Sequence, residues 1–173
     1  QELWKSDGTS AGTVRVKDIA TLSSSSPLGL TNGNGLLYFI AQDGTNGQEL
    51  WKSDGSSAGT VLVKNIRTGV SSSSPSDLTM VGTTLFFSAT DDAGDQELWK
   101  SDGTSAGTVR VKDIYSGGAS SSPASLVNMN GVLYFVAGDS TAGRELWRSD
   151  GTTAGTLLVR DIKTGTTDST IVG

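Results

Sequence analysis

Three features of this sequence predict an all-β fold, a β-propeller built from four-stranded antiparallel blades of about 48 residues. A long segment recurs four times at near-constant spacing, two-residue turns of hairpin type separate short apolar runs, and the repeat keeps the aromatic residues in register. QELWKSDGTSAGTVRVKDI at 1–19 recurs letter for letter at 96–114, with near-copies starting at Gln48 and Arg144. Its glutamate falls at Glu2, Glu49, Glu97 and Glu145, with spacings of 47, 48 and 48 residues. A second shared block lies between the copies, at 23–44, 71–92 and 120–139. The first repeat is one residue short between Ile19 and Pro27, so the length change falls in a connection, as expected if the flanking segments are strands.

Each repeat reads as strands a to d. Asn34-Gly35 and Asn130-Gly131 carry the type I′ hairpin signature, and the equivalent Gly82-Thr83 puts glycine first, as a II′ turn prefers. The turns pair strand a (28–31, 77–80, 125–128) with the aromatic strand b that follows. In the first repeat strand b runs Leu36-Leu37-Tyr38-Phe39-Ile40, apolar without alternation and so buried on both faces. Strand c, ELWKSD, places adjacent Leu and Trp on opposite faces, which again implies burial on both sides. Asp7-Gly8, Asp54-Gly55, Asp102-Gly103 and Asp150-Gly151 form the turn into strand d, where Val14 and Val16 alternate with Arg15 and Lys17 on an outer, half-exposed edge. No segment shows an apolar 3.6-residue period. A β-solenoid is the competing architecture, because 48 residues also suffice for two rungs. Two-residue hairpins oppose it, since a parallel coil does not reverse through such turns.

Composition narrows the chemistry. Among 173 residues there is no cysteine and no histidine, which removes disulfides, Cys/His zinc sites, thiolate nucleophiles and imidazole bases. The net charge of −5, without a basic cluster, argues against nucleic-acid partners and anionic membranes. The longest apolar run, 36–41, is too short to span a bilayer, so no membrane insertion is expected. No signal peptide is visible and the first residue is Gln, so a processed or excised piece is expected.

ELWKSDGTSAGT, with the downstream VKDI, SSSSP and LYFIA blocks, resembles the bacterial ELWxxDGT repeat family over nearly the whole chain. That resemblance implies secreted or cell-surface bacterial proteins with long tandem arrays and no established enzymatic role. It supplies no set of functional residues.

Counting strands makes 1–22 a half-blade, 23–69, 71–117 and 119–165 full blades, and 166–173 an irregular strand or tail of the single repeat domain 1–173. Such a set lacks a strand b and does not close a regular four-blade ring, so completion by neighbouring repeats of a longer chain or by self-association is expected.

The recurring acids have two readings. Glu2/Glu49/Glu97/Glu145, Asp7/Asp54/Asp102/Asp150 and Asp43/Asp91/Asp139 could be calcium ligands, or turn caps and partners of cross-strand Lys or Arg, and the second reading is favoured. A glycosidase needs two carboxyl groups in different environments, which near-identical repeats do not provide. The serine runs at 23–26, 71–74 and 120–122 lack a base and read as solvated connections. Trp4, Trp51, Trp99 and Trp147 suit a sugar platform or a core, and with Phe39, Phe87 and Phe135 they are read as core.

No catalytic residue, metal site or cofactor is therefore expected. The function expected is a non-enzymatic, extracellular scaffold or adhesive surface with a protein or glycan partner; the alternative is a sugar- or calcium-binding propeller with one equivalent site per blade. The variable positions Arg15/Leu62/Arg110/Leu158 and the loops 42–47, 90–95 and 138–143 are where a partner would be met.

Overall fold

A computed structural model of the chain describes residues 1–166 and 168. These residues form fourteen strands and no helix. β1 (Leu3–Lys5) and β2 (Val14–Lys17) make an N-terminal hairpin. The first sheet consists of β3 (Leu28–Gly33), β4 (Leu36–Gln42), β5 (Gln48–Ser53) and β6 (Val61–Lys64). β7 (Ser76–Val81), β8 (Thr84–Thr90), β9 (Gln96–Ser101) and β10 (Val109–Lys112) form the second. The third contains β11 (Ala124–Met129), β12 (Val132–Asp139), β13 (Gly143–Ser149) and β14 (Leu157–Arg160). Every described pairing is antiparallel and joins strands adjacent in sequence, so the parallel coils of a solenoid are not found there. The extra strand expected at 166–173 falls, apart from Thr166 and Asp168, outside the described residues.

Local chemistry explains the meander. Asn34 (φ 54°) with Gly35 (φ 77°), and Asn130 (φ 52°) with Gly131 (φ 85°), adopt the left-handed pair that a I′ turn demands. At the equivalent place only Gly82 (φ 59°) is left-handed, as in a II′ turn. In the DGTxxGT link, Asp102 Oδ1 accepts from Thr104 N and Oγ1 at 2.8 and 2.7 Å, Thr104 Oγ1 accepts from Gly107 N, and Thr108 shares a bond with Ser101. This side-chain network substitutes for strand pairing and recurs around Asp7 and Asp150.

The sheets stack face to face. Between first and second, Tyr38, Leu50, Val63 and Ile66 pack against Leu85, Phe87, Ala89 and Trp99. Between second and third, Phe86, Leu98, Val111 and Ile114 meet Leu133, Phe135, Ala137 and Trp147. The N-terminal hairpin covers Phe39, Ala41 and Trp51 with Leu3, Val16 and Ile19. One interface is thus written three times from the same columns. First strands of successive sheets lie side by side, with Thr79 Oγ1 donating to Leu126 O at 3.1 Å and Asn128 Nδ2 to Met80 O at 2.9 Å.

Two lysine columns bridge the sheets, one on β1, β5 and β9 and one on the outer strands β2, β6 and β10. Lys5, Lys52 and Lys100 donate from Nζ to the carbonyls of Gly55, Gly103 and Gly151 at 2.7–2.8 Å. Lys17, Lys64 and Lys112 do the same to Thr60, Thr108 and Thr156.

Candidate functional site

The turns between second and third strands lie at the same end of each sheet as the serine connections. Each turn is fixed by an aspartate that opens it: Asp43 Oδ1 accepts from Thr45 and Asn46, and Asp139 Oδ1 from Thr141 and Ala142. These bonds hold both carboxyls below the usual range although burial pushes them up.

Beneath the turns sits a buried glutamate in each full sheet. Glu97 takes N–H donors from Ile114, Tyr115 and Ser121 and the Ser121 hydroxyl at 2.6 Å, and Glu49 is held identically by Ile66, Arg67 and Ser73. Glu49 and Glu97 therefore each tie their own sheet to the connection that enters the next. The expectation that these glutamates pair with a cross-strand Lys or Arg is corrected here: backbone N–H groups and a serine hydroxyl take that place. The reading of the serine runs as solvated connections is corrected in part: Ser25, Ser73 and Ser121 are buried on the glutamates, whereas Ser23, Ser71, Ser74 and Ser120 are exposed. Burial pushes the Glu49 and Glu97 carboxyls up against the pull of their donors. Glu2 in the N-terminal hairpin is less covered, and there the bonds from Ile19 and Ser25 win, so its carboxyl is lowered.

The second sheet adds charge. Arg110 Nη1 lies 3.4 Å from Asp91 and 3.3 Å from Asp95, and Asp95, Glu97 and Asp113 bring oxygens within 4.8 Å of one another. Burial raises the Asp95 carboxyl, Asp113 and Asp91 add to the rise, and Arg110 opposes it. Such oxygens suit a hard cation, which takes six to eight of them. Here the Glu97 oxygens are saturated by four donors and Asp95 Oδ2 faces Arg110, which leaves too few. Gly47 and Gly143 stand where the second sheet has Asp95, so this grouping is peculiar to one repeat. At the same end, the third sheet and its flanking connections form a cleft of about 280 Å³ lined by Tyr115, Ser121, Asp139, Arg144 and Asp168.

The residues expected as core divide. Phe39, Phe87, Phe135, Trp51, Trp99 and Trp147 are buried, whereas Trp4 is 58% exposed, a correction whose cause is that no further sheet covers its face. The buried tryptophans present no face to a sugar, and Trp147 lies under Lys112 Nζ at 5.7 Å from its ring centre. The turn residues Asp7, Gly8, Asp54, Gly55, Asp102, Gly103, Asp150 and Gly151 hold the links described above. Of the variable positions, Arg110 reaches the acidic rim and Arg15 pairs with Asp18 at 3.0 Å, while Leu62 and Leu158 pack on the core. Sequence reasoning missed the glutamate–serine lock, although glutamate and serine recur with an offset of 23 residues in the hairpin and 24 in the first and second sheets.

No family model matches the chain, and no curated protein matches it. Among solved structures the chain is similar to a prolyl endopeptidase, with a TM-score of 0.50 at 20% identity over 75% of this chain. It covers 19% of that chain's length. A second likeness, to the α-L-arabinofuranosidase CtGH43 from Clostridium thermocellum, has a TM-score of 0.29 at 16% identity and covers 89% of this chain and 64% of the other.

Proposed function

We propose that the chain is a run of β-propeller blades acting as a non-enzymatic scaffold of an extracellular bacterial repeat protein of the ELWxxDGT type, with the loop rim as the surface that meets a protein or glycan. The observation that carries this reading is the division of labour within each repeat. Strand columns and the glutamate–serine lock stay constant, while the exposed turns 42–47, 90–95 and 138–143 differ in sequence and charge on a frame that holds them rigid. The buried glutamates occupy equivalent, donor-filled surroundings, which suits a structural role better than an acid and nucleophile pair.

Binding of immobilised protein to a panel of cell-wall glycans and extracellular proteins tests the reading, using a variant whose 90–95 turn is replaced by the 42–47 sequence. Saturable binding that weakens at least about tenfold on exchange supports it. Turnover of a glycan or peptide, or binding indifferent to the exchange, contradicts it.

A further inference from the structure

The rim turns of the first and second sheets meet the ends of their outer strands at the same place in the fold but through different chemistry. In the first sheet Asn65, just beyond β6, donates from Nδ2 to Asn46 Oδ1 of the 42–47 turn at 2.8 Å, a neutral hydrogen bond that is complete at any pH. In the second sheet Asp113 stands where the first has Asn65, and the buried residue of the turn is Asp95. An amide pair that holds its own donor is thus replaced by a carboxyl pair that has none unless it keeps a proton.

The geometry around Asp95 carries the mark of that exchange. Its side chain is 4% exposed, Oδ2 faces Arg110 Nη1 at 3.3 Å, and Oδ1 is buried without a hydrogen-bond partner among the described residues. Asp113 is exposed, and its carboxylate brings an oxygen within 4.8 Å of those of Asp95 and Glu97. The charged groups that face Asp95 are Asp91 on its own turn, Glu97 on β9, Arg110 on β10 and Asp113 beyond it. Asp92 is turned instead to Thr68 of the preceding connection, and Lys112 to Thr156 of the third sheet. Arg110 also serves Asp91, and the Glu97 oxygens are filled by Ile114, Tyr115 and Ser121, so Asp113 is the acceptor left for a proton on Asp95 Oδ1. Carboxylates crowded around one guanidinium do not all ionise together, and the buried one is the one that stays neutral. Accordingly burial, Asp113 and Asp91 raise the Asp95 carboxyl against the pull of Arg110.

We infer that Asp95 and Asp113 share one proton and form a pH-sensitive latch between the 90–95 turn and the end of β10. In the closed form Asp95 donates from Oδ1 to the Asp113 carboxylate, as Asn65 does to Asn46 in the first sheet. In the open form the proton has left to solvent, and a buried carboxylate faces Asp91 and Asp113 with Arg110 as its one cation among the charged groups named above. Ionisation then favours lifting Asp95 into water, which loosens the turn. The closed form is fully favoured below the ordinary Asp value of 3.8 and is lost as pH rises through the raised value. Gly47 and Gly143 occupy the position of Asp95 in the other two turns, so the latch belongs to the second sheet alone among them. The inference rests on the proposed rim surface only in making the latch a regulator of what that turn meets.

Amide hydrogen exchange on the full chain reads the latch, each rate being referred to that of an unstructured peptide at the same pH. Protection at the Asp91 and Asp95 amides, which donate to Asp95 O and Asp91 Oδ1, falls at least about tenfold between about pH 4 and about pH 8. The Asn46 amide of the 42–47 turn, which donates to Asp43 Oδ1 above the equivalent Glu49 lock, keeps its protection to within about twofold over that range. In Asp95→Asn and in Asp113→Asn, each of which supplies a donor that pH does not remove, the 90–95 turn behaves like the 42–47 turn. A wild-type 90–95 turn that stays protected at high pH, a 42–47 turn that loses as much, or a 90–95 turn that still loosens in either variant overturns the inference. Carbon NMR of the side-chain carboxyls gives a second reading. Asp95 titrates above 3.8 in wild type and moves down in Asp113→Asn; an Asp95 that titrates at or below 3.8 overturns the inference as well. Both are measured on the chain alone, so their outcome is separate from whether the rim binds a protein or glycan.

Discussion

Glu97 has no exposed surface yet carries four donors, so its worth depends on protonation. Its carboxyl is raised above the ordinary value of 4.5 by burial, which places the stabilising contribution on the acid side. That contribution is full below pH 4.5 and is lost as pH rises through the raised value. Replacing it by Gln turns an amide toward N–H and O–H donors and costs about 1–3 kcal/mol in acid. The gap between wild type and Glu97→Gln, measured by urea unfolding from pH 4 to 8 (a range of about four units), narrows with rising pH; a widening gap contradicts the assignment. The existence of this lock was not legible beforehand, because Glu97 and Ser121 meet only through the fold. A glutamate beside lysine-bearing strands also invites an ion-pair reading that the geometry does not support. The turn aspartates were legible, since an Asp-Gly pair followed by Thr specifies its own local hydrogen bonds.

At the level of the strand, identical sequence has unequal value according to what covers it. β1 and β9 both contain Leu-Trp-Lys, but β9 is buried on both faces and β1 on one. Phe87→Ala removes a fully buried ring and costs about 3–5 kcal/mol. Trp99→Ala costs a similar amount, and Trp4→Ala about 1 kcal/mol or less. Equal losses for Trp4 and Trp99 in thermal unfolding would show that the hairpin face is covered in the single chain. Strand positions were readable because three signals agree: hairpin turns, unbroken apolar runs in β4 and β12, and alternation in β2. The exposed state of Trp4 was not readable from its column, since a repeat records which face a residue occupies and not whether a neighbour is present.

For the whole molecule, nearest-neighbour stacking means that stability is a sum of sheets and the interfaces between them. The second sheet lies between two full sheets, the first between the N-terminal hairpin and the second sheet, and the hairpin and third sheet have one neighbour each among the described residues. All-β architecture and the stacking period were legible in the sequence. The rim chemistry was legible only as variability, because Asp95 gains meaning from Arg110 and Asp113 brought beside it by folding. Amide hydrogen exchange along the chain is the most direct test of a single interface repeated between successive sheets. The account predicts strongest protection in β8 and β9, which are packed on both faces, and weaker protection in β1–β2 and β13–β14. Uniform protection across the sheets, or end strands protected as strongly as β8 and β9, would contradict it.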